Sequence, residues 1–217
     1  MNTTFIAVEG PIGVGKSTLA HAIATRFGFH LLQEIVDENP YLEKFYNQMD
    51  EWAFQTEMYF LVNRFRQLET IRDRFLSCQI PVVSDYHIFK NLIFARKTLS
   101  KTHYEKFRRI FSVVCEDLPQ PNLLIYLHAD VDVLIRRIEK RGRSFEKILS
   151  PSYLEQLSQD YEEHLPIFRR ENPNLPVLTF NGNEIDFVRR REDLEFILQQ
   201  VQKIIEGDTA HEFAKKI

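Results

Sequence analysis

Residues Gly10, Pro11, Ile12, Gly13, Val14, Gly15, Lys16, Ser17 and Thr18 carry the pattern G-x-x-x-x-G-K-[ST], with the apolar run "FIAV" before it and an apolar helical run after it. Glycines at this spacing let the backbone wrap phosphates with its N–H groups, and the N-terminus of the helix that follows adds positive potential. Lys16 can reach the outer phosphates and the Ser17 hydroxyl can ligate Mg²⁺, so ATP or another triphosphate with magnesium is the implied donor. Other residues must identify the acceptor. Glu34 follows the second apolar run in "FHLLQEIVDENP". A carboxylate there can take the proton of an attacking sugar hydroxyl, whereas a monophosphate acceptor is already anionic and calls for arginine. Asp85, closing "IPVVSD", suits the magnesium shell or the acceptor, and suits equally the N-cap of a helix starting near Ile88. The segment "LIRRIEKRGRSFEK" carries Arg136, Arg137, Arg141 and Arg143. Arg137 and Arg141 share one helix face, and Arg143 follows a glycine that lets the chain turn. Such charges serve transferring phosphoryl oxygens from a mobile lid. The other reading is helix C-terminal charge favoured by the macrodipole.

These residues need a scaffold that brings them to one edge. The runs "FIAV", "FHLL", "IPVVS", "NLLIYLHA" and "LPVLTF" alternate with longer stretches of helical period, the pattern of a five-stranded parallel sheet covered by helices on both faces. Between the second and third runs, "EWAFQTEMYFLVNRFRQLETIRDRFLSC" has no Pro or Gly and reads as one long helix. "SYLEQLSQDYEEHLPIFRR" reads as another. In such sheets ligands gather at the carboxyl ends of the strands, where Glu34 and Asp85 fall.

At 217 residues the chain is expected to form a single domain, 1–217, with a weakly held tail from about residue 207. A net charge of -3 argues against nucleic-acid binding by bulk electrostatics. Cys78 and Cys115 have no metal-ligand spacing. No window approaches a membrane span and no basic segment leads a long apolar run, so a cytoplasmic protein without membrane partners is expected. Two long helices in a small α/β protein point to a homodimer formed through them.

The "GPIGVGKST" loop, the glutamate after the second strand, "YNQMDEWAFQ", "RIEKRGRSFE" and a late "DF" resemble, in order and over nearly the whole chain, the deoxynucleoside kinases, especially the bacterial purine-type members acting on deoxyguanosine or deoxyadenosine. The resemblance implies a P-loop kinase fold with an arginine-bearing lid at about 137–150, and 5′-phosphorylation of a purine deoxyribonucleoside, deoxyguanosine slightly ahead. By the same resemblance Glu34 is the general base, and Lys16 with Arg137, Arg141 and Arg143 serves the phosphates. Tyr46 and Glu146 hold the sugar 3′-hydroxyl, Gln55 reads the base, and Asp186 with Phe187 lies beside the adenine of ATP. Each has a plainer reading: Tyr46, Trp52 and Phe54 as core aromatics, Gln55 as a polar helix residue, Asp186 as a turn former.

The chain departs from the family's acid-Arg-Ser triplet after the third strand, reading Asp85, Tyr86, His87. The arginine that supports the catalytic glutamate is absent there, which implies a base pocket rebuilt around Tyr86 or around Arg64. The competing enzyme is a nucleoside-monophosphate kinase such as thymidylate kinase, and the competing non-enzyme is a triphosphate-binding switch. This chain lacks the N-K-x-D element of guanine switches, and a switch has no use for lid arginines.

Overall fold

Each strand is short, apolar and ends where a polar residue is needed. The computed structural model, which describes residues 3–36, 38–143, 146 and 149–207, pairs β1 (Phe5–Glu9), β2 (His30–Leu32), β3 (Val82–Ser84), β4 (Leu123–His128) and β5 (Val177–Asn181) into one parallel sheet. Its strand order is β2-β3-β1-β4-β5, with all pairings parallel. The five expected strands are those observed. β1 and β3 are buried throughout, as strands covered on both faces must be.

Helices α1 (Lys16–Phe27), α2 (Leu42–Asn47), α3 (Met49–Arg74), α4 (Lys90–Thr98), α5 (Lys101–Val114), α6 (Val131–Arg141), α7 (Pro151–Glu171) and α8 (Arg191–Ile205) cover it. Ile6, Val8, Leu19, Ile23 and Ile197 fill one side of the sheet. On the other, Ala7, Leu124 and Tyr126 pack against Phe89, Leu157 and Tyr161. Leu61, Leu68 and Ile71 of α3 pack with Phe5, Val82 and Phe107.

The long helix expected over residues 51–78 stops at Arg74 and passes into a 3₁₀ turn, Leu76–Cys78. No Pro or Gly breaks it. Phe75 instead leaves helical geometry, its ring stacks on His30 with centroids 3.6 Å apart, and Gln79 turns the chain into β3 through φ 59°. Of the lid expected at 137–150, residues 144, 145, 147 and 148 lie outside the described residues, as does the expected tail from 208 onward. Among the described residues no helix is long and apolar enough to cross a membrane.

Candidate active site

β1 runs directly into the phosphate loop, and the loop's glycines are forced by close packing. Gly10 has φ 148°, and a Cβ there would lie 2.1 Å from the Leu127 carbonyl oxygen of β4. Gly15 has φ 111°, and a Cβ would meet the Phe187 ring at 2.8 Å. Gly10→Ala is therefore expected to lower stability by more than about 1 kcal/mol, since it combines a left-handed φ with a backbone clash. Urea unfolding checks this, and an unchanged midpoint would show that β4 can yield.

The loop is also tied from outside. Glu9, fully buried at the end of β1, accepts hydrogen bonds from Gly10 N (2.8 Å), His87 N (2.7 Å) and Tyr161 Oη (3.0 Å). Arg137 of α6 donates to the carbonyls of Val14 (3.0 Å) and Gly182 (3.1 Å), so it clamps the loop to the segment after β5. Arg137, expected in the lid, thus has both its terminal nitrogens on backbone oxygens while also lining the cleft. Lys16 donates to Gly10 O (2.7 Å) and Pro11 O (3.0 Å). Burial and then Lys90 push its pKa down to about 8, against the opposing pull of Glu9, Glu34 and Asp85. Ser17 donates to Asp85 Oδ2 at 2.5 Å, while Asp85 Oδ1 accepts from Glu34 N at 2.7 Å. Asp85 is thus not a helix cap; α4 starts at Lys90, and His87 Nδ1 accepts from Phe89 N instead.

Glu34 sits just past β2 between two buried cations. Lys90 Nζ donates to its Oε2 at 2.8 Å, and Arg64 Nε donates to its Oε1 at 3.0 Å, joined by Arg64 Nη2 on the same oxygen. Burial favours the neutral acid, yet the charges and hydrogen bonds of Lys90 and Arg64 overcome it and hold the carboxyl far below its ordinary range. The arginine missing after β3 is thereby replaced from α3 and α4. Arg64 was legible in the long helix; Lys90 was missed, and its only signal was a single charge inside the apolar run "HIFKNLIF".

A cleft of about 920 Å³ joins these parts and is lined by Ile12 to Thr18, Glu34, Tyr46, Glu57, Arg64, Asp85, Lys90, Arg141, Arg143, Glu146, Tyr153, Asp186 and Phe187, among others. Buried Glu146 is held by Arg141, whose Nε and Nη2 lie 3.0 and 2.5 Å from its two oxygens, with Arg143 Nη1 3.6 Å away. Burial first, then the nearby carboxylates Glu146, Glu57 and Glu34, raise the Tyr46 pKa, which locates that phenol among all three. Asp186 accepts from Val188 N and Arg189 N, as a turn former does, and also faces the cleft.

Two expected substrate residues stand elsewhere. Gln55 is exposed and is not part of the cleft lining. The buried stripe of α3 runs through Ala53, Glu57, Leu61, Arg64, Leu68 and Ile71, and a residue two positions from Glu57 points to nearly the opposite face. Tyr86 is buried in the core, donating its hydroxyl to Gln67 Oε1 at 3.0 Å and standing behind Arg64 rather than lining the cleft. Glu57, like Lys90, was missed by sequence reading; its signal was a carboxylate on a helical stripe that is apolar apart from Thr56 and Arg64.

Residues 6–206 match the family described as "Deoxynucleoside kinase". A deoxyguanosine kinase of Bacillus subtilis (strain 168) is 50% identical over 206 residues, spanning 94% of this chain and 100% of the relative. A deoxyadenosine/deoxycytidine kinase of the same strain is 35% identical over 207 residues, with 93% of each chain covered. The structure of a deoxyadenosine kinase from M. mycoides with the products dCMP and a flexible dCDP is similar with a TM-score of 0.78 and 28% identity, covering 92% of this chain and 100% of that one. Because the likeness runs from the first strand into the last helix without a gap in the architecture, the chain belongs to the deoxynucleoside kinase family.

Proposed function

We propose that the protein transfers the γ-phosphoryl group of ATP to the 5′-hydroxyl of purine deoxyribonucleosides, deoxyguanosine foremost. The observation that carries this reading is Glu34: an ionised carboxylate in the same cleft as the phosphate loop, held at each oxygen by one cation and still able to accept a further hydrogen bond. The O5′–P bond forms as the bond to the ADP oxygen breaks, and the hydroxyl proton passes to Glu34. A carboxylate held so acidic is a weak base toward a resting alcohol. It becomes adequate as O5′ loses electron density to phosphorus, so proton transfer accompanies attack.

Lys16 exchanges its two loop carbonyls for phosphate oxygens. The hydroxyl of Ser17 and the carboxylate of Asp85 converge as hard oxygen donors, which fits Mg²⁺, and these two residues would hold it. The bound ion supplies charge neutralisation on the phosphates. Tyr46 and Glu146 receive the 3′-hydroxyl, with Arg141 and Arg143 orienting Glu146 and closing over the phosphates as the lid. Asp186 and Phe187 flank the adenine of ATP. We read the chain as one cytoplasmic domain, paired as a homodimer through its long helices; exposed Val62 on α3 and Val113 on α5 support the pairing.

The test is phosphorylation by Mg-ATP of deoxyguanosine, deoxyadenosine, deoxycytidine, thymidine, guanosine and the deoxynucleoside monophosphates side by side. Transfer to purine deoxynucleosides with little to guanosine is expected. Transfer to monophosphates alone would mean that Arg141 and Arg143 bind an acceptor phosphate and that Glu34 has another task.

A further inference from the structure

Behind the phosphate loop a second set of contacts is built around Glu9, which is fully buried and is not part of the cleft lining. The ladder between β1 and β3 ends with Ala7 opposite Ser84. Past that point the two chains go different ways, β1 into the phosphate loop and β3 through Asp85 toward α4. Glu9 spans the gap. Its Oε1 accepts from Gly10 N at 2.8 Å and from Tyr161 Oη at 3.0 Å, and its Oε2 accepts from His87 N at 2.7 Å. His87 O in turn accepts from Lys90 N at 3.2 Å, and Lys90 Nζ donates to Glu34 Oε2 at 2.8 Å. A bonded path thus runs from the first residue of the phosphate loop, through Glu9, to the Glu34 carboxylate.

Resting on the phosphoryl-transfer reading above, we propose that Glu9 is a positioning residue for that reaction: it fixes the phosphate loop relative to the Lys90 and Glu34 pair, and so sets how far the transferring phosphorus stands from the proton acceptor. The distance matters because attack needs the reacting atoms about 3–3.5 Å apart, and a misplacement of about 1 Å can cost on the order of a hundredfold in rate. Ser17 and Asp85 tie the same two segments on the cleft side, yet in that reading they give up their mutual bond to the metal. Glu9, Gly10, His87 and Tyr161 do not line the cleft, so their bonds need not change when it fills.

The residue type follows from the donors. A carboxylate accepts at both oxygens and donates at neither, which suits two N–H groups and a hydroxyl converging on it. Glutamine keeps the shape, with an acceptor at one end and an amino group at the other. Tyr161 can turn its hydroxyl to accept from that amino group, but a backbone N–H cannot, so in either orientation of the amide Gly10 N or His87 N loses its acceptor. A buried N–H is costly to leave unpaired, and relief comes only by moving the phosphate loop or the entry to α4.

The experiment compares Glu9→Gln and Tyr161→Phe with the natural protein by thermal melting, and by the single-turnover rate, kcat and KM for Mg-ATP and deoxyguanosine, assayed below every midpoint. Both variants lose bonds in the same buried cluster, so both should melt lower. In Glu9→Gln the single-turnover rate and kcat should fall by about tenfold to a hundredfold with each KM within about threefold, since the two binding halves stay whole and only their distance changes. In Tyr161→Phe, which keeps both backbone bonds, both rates should stay within about twofold. A natural rate in Glu9→Gln, a loss confined to the KM for ATP, or equal rate losses in the two variants would overturn the assignment and leave Glu9 as a stabiliser of the fold. Should Glu9→Gln not fold, Glu9→Asp is measured in its place. It keeps both acceptors but is one methylene too short to reach both N–H groups, so the same rate loss is expected and a natural rate overturns the proposal. Failure of the natural protein to phosphorylate any deoxynucleoside would instead remove the reading on which it rests.

Discussion

Glu34→Gln is expected to lower turnover of deoxynucleosides by about a hundredfold or more while ATP binding stays near its original strength, because the change removes a proton acceptor and no phosphate contact. Single-turnover rates and ATP titration separate the two. The amide keeps the shape of the carboxylate but leaves Lys90 and Arg64 without their shared anion, so the variant should also melt lower. Assay temperatures must therefore be set below its midpoint. Turnover close to that of the natural protein would put the base elsewhere, and Asp85, bonded to the Glu34 N–H at 2.7 Å, stands nearest to take over.

Arg64→Met is expected to change both folding and the pH profile. Two donors are lost from Glu34 Oε1; charged hydrogen bonds contribute about 1.5–3 kcal/mol each, but two on one oxygen do not add in full, so unfolding free energy should drop by roughly 2–4 kcal/mol. The Glu34–Lys90 pair remains, which keeps the loss short of a wholly unpaired buried charge. In the natural protein the Glu34 pKa is depressed, so its stabilising contribution is present above the unfolded carboxylate value near 4.5 and disappears only as pH falls through the lower folded value. Removing Arg64 raises that folded value toward or past the ordinary one, because burial persists. Stability and turnover should then begin to fall at a higher pH, with turnover down on the order of tenfold at the acid end of the assay range. Urea unfolding and kcat between pH 5 and 8 read this out. A flat acid limb with unchanged stability would show that Lys90 alone holds the base.

The sheet was legible because its strands are short apolar runs whose neighbours in sequence break them, and the phosphate loop because its spacing is dictated by the phosphates themselves. Glu34 and Asp85 followed from the rule that parallel strands deliver function at their carboxyl ends. What the sequence did not show concerns rotation and distance. Gln55 and Glu57 are two residues apart, and helical periodicity says that they face different ways but not which of them faces the cleft; the packing of Leu61, Leu68 and Ile71 against Phe5 and Val82 decides that. The partners of Arg137, the carbonyls of Val14 and Gly182, were not legible because they lie 123 and 45 positions away in sequence. Lys90 and Glu9 were hidden for the same reason, since each meets its partners through the tertiary fold.

The guanidinium of Arg64 is divided: Nε and Nη2 donate to Glu34, while Nη1 is buried without a hydrogen-bond partner. A lineage that changes this helix is therefore constrained unequally along it. Position 64 cannot change hands without disturbing the carboxylate it holds, so divergence among descendants should be purged there and proceed around a retained arginine.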